Sequence, residues 1–461
     1  LWYTLEPMVP REPLRALALA RRSNLELPAA LAARRVGEMR KPEALAMLLQ
    51  GVVESASARR AHPFLDAVLQ SLKGQAAVPE PELWKAAYEA CSKLVAGRES
   101  EPDAVALSDA RAVLGAYFKD VRSLQQLRSL SADSAAALER RQRALQALAA
   151  VQAPDLLQTL RALWEDARLR LEVLRQSAAL PVAELRADGK GVVFFREVLG
   201  RFASLNTEER AAAVAAMVGR AETAALLLEA VEKQQVPRGD IPVFAARQIV
   251  ALNHADLVRQ LERVWGTIRT GDEMAKVAGE EAARLKAILS NAFLSQADVS
   301  AGRALFKASC GQCHQLFGEG GKIGPDLTGS NRANLDYLLE NVTNPNAVIG
   351  KDYELHVWTL QDGRIVSGML RQEHAASLTV QTLVGEEQIA KAAVKSVEKP
   401  GVSMMPAGLF SALPKEQLRD LVGYLRTPRQ VSLPGEKAAP AYVVPGVLEG
   451  ESLQILSEGF R

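Results

Sequence analysis

Cys310-Gly311-Gln312-Cys313-His314 is the most informative stretch of this chain. Two cysteines at this spacing, followed directly by a histidine, are the pattern of a c-type haem attachment site. The spacing lets both thiols bond to the two vinyl groups on one porphyrin edge and leaves the histidine beside the iron. The sequence therefore predicts one covalently bound haem c per chain, with Cys310 and Cys313 as thioether anchors and His314 as an axial iron ligand.

A structural zinc site and a thiol–disulfide pair are the competing interpretations of this motif. Structural zinc takes four ligands, and the sequence offers no second cluster of Cys and His residues to complete them. A redox Cys-x-x-Cys pair opens a helix in a thioredoxin-like βαβ unit, whereas here the helical pattern of residues 301–309 precedes Cys310. Both alternatives fit the sequence less well than haem does.

Chain length, charge and cysteine count limit what else the protein is. The 461 residues are enough for about two to four domains. A formal net charge of +2 gives no strong field that would favour nucleic acid, so no nucleic-acid partner is expected. Cys91 is the one cysteine outside the motif, and its helical surroundings predict a small buried side chain.

The expected location is the periplasm or the cell exterior, because covalent haem attachment takes place on the outer side of bacterial cytoplasmic membranes. No signal-peptide pattern follows Leu1, and no run of about 18 apolar residues indicates a membrane span. We therefore expect that this sequence is an internal piece of a longer precursor and that the signal segment lies outside it.

Residues 1–290 are typical of an all-helical region. Segments rich in Ala, Leu and Arg follow one another, with apolar residues at i, i+3 and i+4. Two similar helix starts, at residues 139–141 and 208–210, lie roughly 70 residues apart, or about two units of a helical repeat. Stacked units of this kind predict a HEAT-like α-solenoid.

The second region, residues 298–428, is predicted to be a haem domain with a β insertion at 351–400. Residues 355–360 and 364–370 alternate in polarity around Gln361-Asp362-Gly363, a strong hairpin signal. Further strands are predicted at 378–383 and 394–397, and a closing helix at 415–425. Residues 429–461 are predicted to be a linker and the start of a further domain, with a strand at 443–448. The predicted fold class is mainly α, with a small antiparallel β insertion.

Two more residues complete the predicted haem site. The carbonyl of Pro325, on the stiff Gly324-Pro325 turn, is the candidate acceptor for the second imidazole nitrogen. Met405 is the candidate distal ligand, because a thioether before a proline in a loop suits a haem that transfers electrons. The weaker alternatives for the distal position are Met404, His356 and His374.

Residues 298–428 resemble the haem-binding domain of Planctomycetes and Verrucomicrobia, a branch of the class I cytochromes c. Besides the cysteine motif, the resemblance rests on these strings: Gly302-Arg303-Ala304-Leu305-Phe306, Gly324-Pro325-Asp326-Leu327, Tyr337-Leu338-Leu339-Glu340-Asn341, Asn344-Pro345-Asn346-Ala347-Val348-Ile349, Met405-Pro406-Ala407-Gly408-Leu409 and Asp420-Leu421-Val422-Gly423-Tyr424-Leu425. It implies that the β unit belongs between the haem motif and the methionine. It also implies that a helical-repeat region and, before that, a propeller resembling sugar dehydrogenases commonly precede such a domain.

The leading hypothesis is a c-type haem electron-transfer protein that serves a fused or partner dehydrogenase. The chain itself is then a carrier rather than an enzyme, because any dehydrogenase active site lies outside it. One rival is a haem-based enzyme or gas sensor with an open distal site. Another is a helical-repeat scaffold in which the haem is structural.

Overall fold

The computed structural model describes residues 2–22, 26–39, 41–72, 78–186, 189–266, 271–383, 385–411 and 413–437. The strand predicted at 443–448 lies outside these residues, as does most of the predicted tail. The chain divides into two compact units. The first, called the helical unit below, comprises Leu1–Gly266 and His356–Glu398, and the second, called the haem unit, comprises Thr267–Leu355 and Lys399–Arg461.

The helices in chain order are α1 (Trp2–Leu5), α2 (Pro13–Arg22), α3 (Glu26–Gly37), α4 (Pro42–Val53), α5 (Ala58–Leu72), α6 (Trp84–Val95), α7 (Pro102–Tyr117), α8 (Val121–Ala132), α9 (Leu138–Ala150), α10 (Leu156–Leu163), α11 (Arg170–Ser177), α12 (Val182–Arg186), α13 (Lys190–Gly200), α14 (Thr207–Met217), α15 (Ala221–Glu232), α16 (Val243–Ala251), α17 (Ala255–Val264), α18 (Gly271–Ile288), α19 (Asn291–Leu294), α20 (Val299–Ala308), α21 (Leu335–Thr343) and α22 (Lys415–Leu425). The strands are β1 (Gln315–Leu316), β2 (Glu319–Gly320), β3 (His356–Leu360), β4 (Ile365–Glu373), β5 (Ser377–Thr382), β6 (Gly385–Ala390) and β7 (Val394–Glu398).

Helices of the helical unit pack on partners two positions along the chain as well as on the next one. Thus α3 packs on α5, α5 on α7, α7 on α9 and α9 on α11. The start of α14 shows why the chain forms a helix there: Asn206 and Glu209 form a reciprocal capping box that satisfies two free N–H groups. Cys91 of α6 is fully buried, as predicted, and burial raises the pKa of its thiol to about 12.

Five antiparallel strands form one sheet in the order β6-β5-β4-β3-β7. The start of β4 is hydrogen-bonded to α16 and to the turn between α14 and α15 of the same unit. The Ile365 N–H donates to the Gly219 carbonyl at 2.9 Å, and Gln248 Nε2 donates to the Ile365 carbonyl at 3.0 Å. Arg220 also pairs with Asp362 at 3.0 Å. The sheet therefore lies within the helical unit, although its sequence is enclosed by the predicted haem domain.

The haem unit is built around the packing of α20 against α22, with α21 packed on α18. Its buried core includes Phe306 of α20, Leu339 of α21 and Tyr424 of α22. The Phe306 and Tyr424 rings meet edge to face, with their centroids 5.6 Å apart. These contacts fix the helix that leads into the cysteine motif.

A buried arginine joins α20 to the β1–β2 hairpin and to the segment after α22. Arg303 of α20 is fully buried and pairs with Glu319 at 2.6 Å and with Glu436 at 2.7 Å. It also donates to the Val431 carbonyl at 2.6 Å. Because a buried charge is stable only when it is paired and hydrogen-bonded, these contacts hold the β1–β2 hairpin and the segment after α22 against α20.

The mainly helical fold with a small antiparallel sheet is confirmed. The HEAT-like solenoid and the exact domain limits stay predictions. Within the described residues, no helix combines the length and the apolar character that a bilayer crossing requires.

Candidate functional site

Helix α20 leads directly into the cysteine motif, whose two cysteines are partly exposed. Asp298 caps its start by accepting from the N–H groups of Ser300 and Ala301, each at 3.0 Å. After the helix, a tight turn follows in which the N–H groups of Cys313 and His314 both donate to the Cys310 carbonyl, at 3.1 and 2.9 Å. This single turn holds the backbone of Cys310, Cys313 and His314 together.

The chain then folds back over the motif. The β1–β2 hairpin reverses at Phe317 and Gly318, which have φ angles of 53° and 77°. Positive φ at both central residues matches a hairpin turn of the I′ type. Beyond the hairpin, the Gly324 N–H donates to the Cys313 carbonyl at 2.7 Å. The hairpin and the following loop therefore lie against the backbone of the motif.

The imidazole of His314 is fixed by the Gly324-Pro325 turn. Its Nδ1 lies 2.9 Å from the Pro325 carbonyl oxygen. A carbonyl only accepts hydrogen bonds, so Nδ1 carries the proton and Nε2 keeps its lone pair. A Cβ atom on Gly324 would lie 2.5 Å from Cε1 of the ring, which explains why this position has no side chain.

Burial shifts the pKa values of the three side chains of the motif in the direction that favours their neutral forms. Desolvation lowers the pKa of His314, and the hydrogen bond to Pro325 opposes that shift. The neutral imidazole is the form that binds iron. Desolvation raises the pKa values of Cys310 and Cys313. Both cysteines are unpaired and partly exposed. Within the described residues, no three or more His, Cys, Asp or Glu side chains are grouped to hold a metal ion.

Arg332 joins the loop after the motif to the closing helix, a contact that sequence reasoning missed. Its Nη1 donates to the carbonyl oxygen of Leu425 at 2.6 Å and also to that of Thr427, while Nε donates to the Leu327 carbonyl at 3.1 Å. The guanidinium lies over the Phe317 ring, 4.7 Å from its centroid. Because the last carbonyls of a helix lack intrahelical donors, Arg332 both ends α22 and braces the loop.

The proposed distal methionine lies in the loop before α22. Met405 is half-buried, and its N–H donates to Ser403 Oγ at 3.1 Å. The Ser403 N–H in turn donates to Asn346 Oδ1 at 2.8 Å, which anchors the loop to the segment after α21. Met404 is the more buried of the two methionines, at 8% exposure. The hydrogen bonds of this loop are separate from those that join the motif to Pro325.

The two alternative histidines lie in the sheet of the helical unit. His356 of β3 is buried and stacks on Trp358, with ring centroids 5.2 Å apart and planes 11° apart. His374 follows β4, and its N–H donates to the Ser377 carbonyl at 2.8 Å. The contacts described for both histidines are therefore made to residues of the sheet.

The donor set and its geometry fit a c-type haem. Two neighbouring thiols are available for thioether bonds, and an oriented neutral imidazole offers Nε2 to iron. Ligating histidines almost always donate their other ring N–H to a fixed acceptor, as His314 does to Pro325.

Comparison with protein families supports this interpretation. Residues 299–361 match the family model for Cytochrome c, a span that contains α20, the cysteine motif, Pro325 and α21. Comparison with curated proteins finds no match. This part of the chain is therefore a cytochrome c-like domain for haem binding and electron transfer, and its cofactor is covalently bound c-type haem with iron.

Proposed function

We propose that residues 298–428 act as a one-electron carrier and that five residues hold the haem: Cys310, Cys313, His314, Pro325 and Met405. The observation that carries this proposal is the 2.9 Å contact between the Pro325 carbonyl oxygen and Nδ1 of His314, the residue that directly follows Cys313. It orients the imidazole before any iron is bound. The bound haem supplies the redox chemistry, and the protein supplies ligands and an ordered surrounding.

The proposed roles follow from the chemistry of each side chain. Each of the Cys310 and Cys313 thiols would add across one vinyl group, with the sulfur bonded to one vinyl carbon and the hydrogen to the other, so the haem would stay with the chain in both redox states. The His314 Nδ1–H bond to Pro325 makes the imidazole a stronger donor through Nε2. Met405 contributes a soft thioether, which stabilises ferrous over ferric iron and raises the reduction potential. If His314 and Met405 both hold the iron, the site would favour electron transfer over oxygen chemistry.

We further propose that a dehydrogenase, fused or separate, delivers the electrons and that a soluble carrier or a membrane oxidase receives them. The support is the resemblance of residues 298–428 to the haem-binding domain of Planctomycetes and Verrucomicrobia, in which such fusions are common. The helical unit would then serve as a HEAT-like spacer or docking surface. The periplasm is the proposed compartment, since c-type haem is attached there.

Carbon monoxide binding tests whether the distal position is held by Met405. We expect the reduced wild-type protein and Met404→Ala to bind carbon monoxide slowly or incompletely at neutral pH, because the thioether must first be displaced. Met405→Ala should bind it rapidly and completely, and its ferric form should lose the near-infrared sulfur-to-iron band. Stopped-flow mixing and absorption spectra measure both effects.

Met404→Ala is the matched control, since it removes the neighbouring thioether from the same loop. If Met404→Ala, and not Met405→Ala, bound carbon monoxide rapidly and lost the near-infrared band, the distal ligand would be Met404. Rapid, complete binding by the wild-type protein would instead favour a gas sensor or haem enzyme with an open distal site.

A further inference from the structure

The helical unit contains a cavity that the haem site does not use. Its volume is about 60 Å³, and it lies between β4 of the sheet and the helices α11, α14 and α16. A cavity of about 10–15 Å³ accommodates one water molecule, so this cavity has room for several waters or one small ion. Its polar lining residues are Arg175, Arg220, Gln248, Arg364, Ser367, Thr382 and Glu387.

Two donors of this lining lack a partner within the described part of the chain. Ser367 of β4 is 4% exposed, and its Oγ makes no hydrogen bond. The Nε of Arg364 is also buried without a partner, although Nη1 of the same guanidinium pairs with Glu387 at 2.5 Å. A buried donor left unpaired is costly, so such groups usually mark a bound water or ion.

The charges around the cavity favour an anion. Three guanidinium groups line it, and each has a carboxylate partner, but of these three carboxylates only that of Glu387 lines the cavity. Arg220 is 5% exposed and pairs with Asp362, which is outside the lining. Burial lowers the pKa of Arg220, the contact with Asp362 opposes that shift, and the positive charge of Arg364 adds to it. Two guanidinium groups that repel each other beside a cavity are stabilised when a negative charge enters between them.

We propose that this cavity binds a small oxyanion, such as a phosphate or a short carboxylate, through the Ser367 hydroxyl and Arg364 Nε. The bound anion would strengthen the attachment of the sheet to the helices, because β4 supplies Ser367 while α11 and α16 supply Arg175 and Gln248. The site is independent of the haem and goes beyond the proposed electron transfer.

Inorganic phosphate is the first ligand to test, on the full-length, haem-loaded protein. Thermal unfolding of the helical unit, followed by far-ultraviolet circular dichroism, should shift upward with phosphate and saturate. Chloride should hold the ionic strength constant in every sample. Acetate and sulfate, run in parallel, identify which oxyanion binds best. Binding of any one of these oxyanions to the cavity supports the proposal.

Two serine substitutions separate binding from stability. Ser367→Ala and Ser377→Ala each remove a buried hydroxyl without a partner from the same sheet, but only Ser367 lines the cavity. Without added oxyanion, neither change should lower the unfolding temperature. Ser367→Ala should weaken phosphate binding about 10-fold, the loss expected for one hydrogen bond to a charged group, while Ser377→Ala should leave it unchanged.

Calorimetric titration measures the affinity of Ser367→Ala and of Ser377→Ala for phosphate. The proposal is overturned when no oxyanion gives a saturable shift beyond that of chloride. It is equally overturned when Ser367→Ala and Ser377→Ala respond to phosphate alike, since the anion would then bind elsewhere.

Discussion

Protein that carries both Cys310→Ala and Cys313→Ala is expected to release all of its haem to acid–acetone, whereas the wild-type protein keeps its haem. Without thioether bonds, only axial coordination and packing hold the porphyrin, and acid breaks the bond from His314. The two proteins should be produced in a host with c-type maturation machinery. Haem staining after denaturing electrophoresis measures the covalent fraction.

Cys91→Ala is the matched control for this experiment. Cys91 is fully buried in α6 of the helical unit, and burial raises the pKa of its thiol to about 12, so it is an unreactive cysteine. The control should keep covalent haem at the wild-type level. Pigment that stays with the chain after extraction of the double variant would contradict the thioether assignment.

Gly302→Ala is expected to destabilise the haem unit by about 3 kcal/mol, at the upper end of the usual cost of overpacking a core. A Cβ atom at this position would lie 2.0 Å from the Asp420 carbonyl oxygen and 2.8 Å from Tyr424 Cβ. Both neighbours belong to α22, and one is backbone, so the two helices must separate to admit the methyl group. Denaturant unfolding followed by the haem absorption measures the loss.

Gly279→Ala controls for the intrinsic preference of a helix for alanine. Gly279 lies in α18, and no heavy atom is within 4 Å of the Cβ atom that the substitution would add. This variant should be unchanged or more stable by up to about 1 kcal/mol. If Gly302→Ala were as stable as Gly279→Ala, the contact between α20 and α22 would be less close than the distances at Gly302 indicate.

Much of the fold could be predicted because local signals are strong where they agree with the packing. The predicted closing helix coincides with α22, and the ends of the strands predicted around Gln361-Asp362-Gly363 lie within three residues of those of β3 and β4. The haem motif needs no structure for its recognition, since its chemistry is encoded in five consecutive residues. The Pro325 carbonyl could be nominated because ligating histidines need a fixed acceptor, and the structure places it 2.9 Å from His314.

The remaining features depend on contacts between distant parts of the sequence. Strand β6 reads Gly-Glu-Glu-Gln-Ile-Ala and has little apolar alternation, so pairing with β5 decides its conformation. The hairpin of β1 and β2 has two residues in each strand, too few for a periodic signal. The hydrogen bond that Ile365 donates to Gly219 and the one that it accepts from Gln248 join residues more than 100 positions apart, which no local pattern reveals.

The pyridine haemochrome spectrum of the wild-type protein, made in a maturation-competent host, tests the central claim most directly. It reports the amount of haem and the number of saturated vinyl groups in one measurement. The expected result is one haem per chain with both vinyl groups saturated, as attachment through Cys310 and Cys313 requires. Colourless protein, or a spectrum with both vinyl groups intact, would contradict the account.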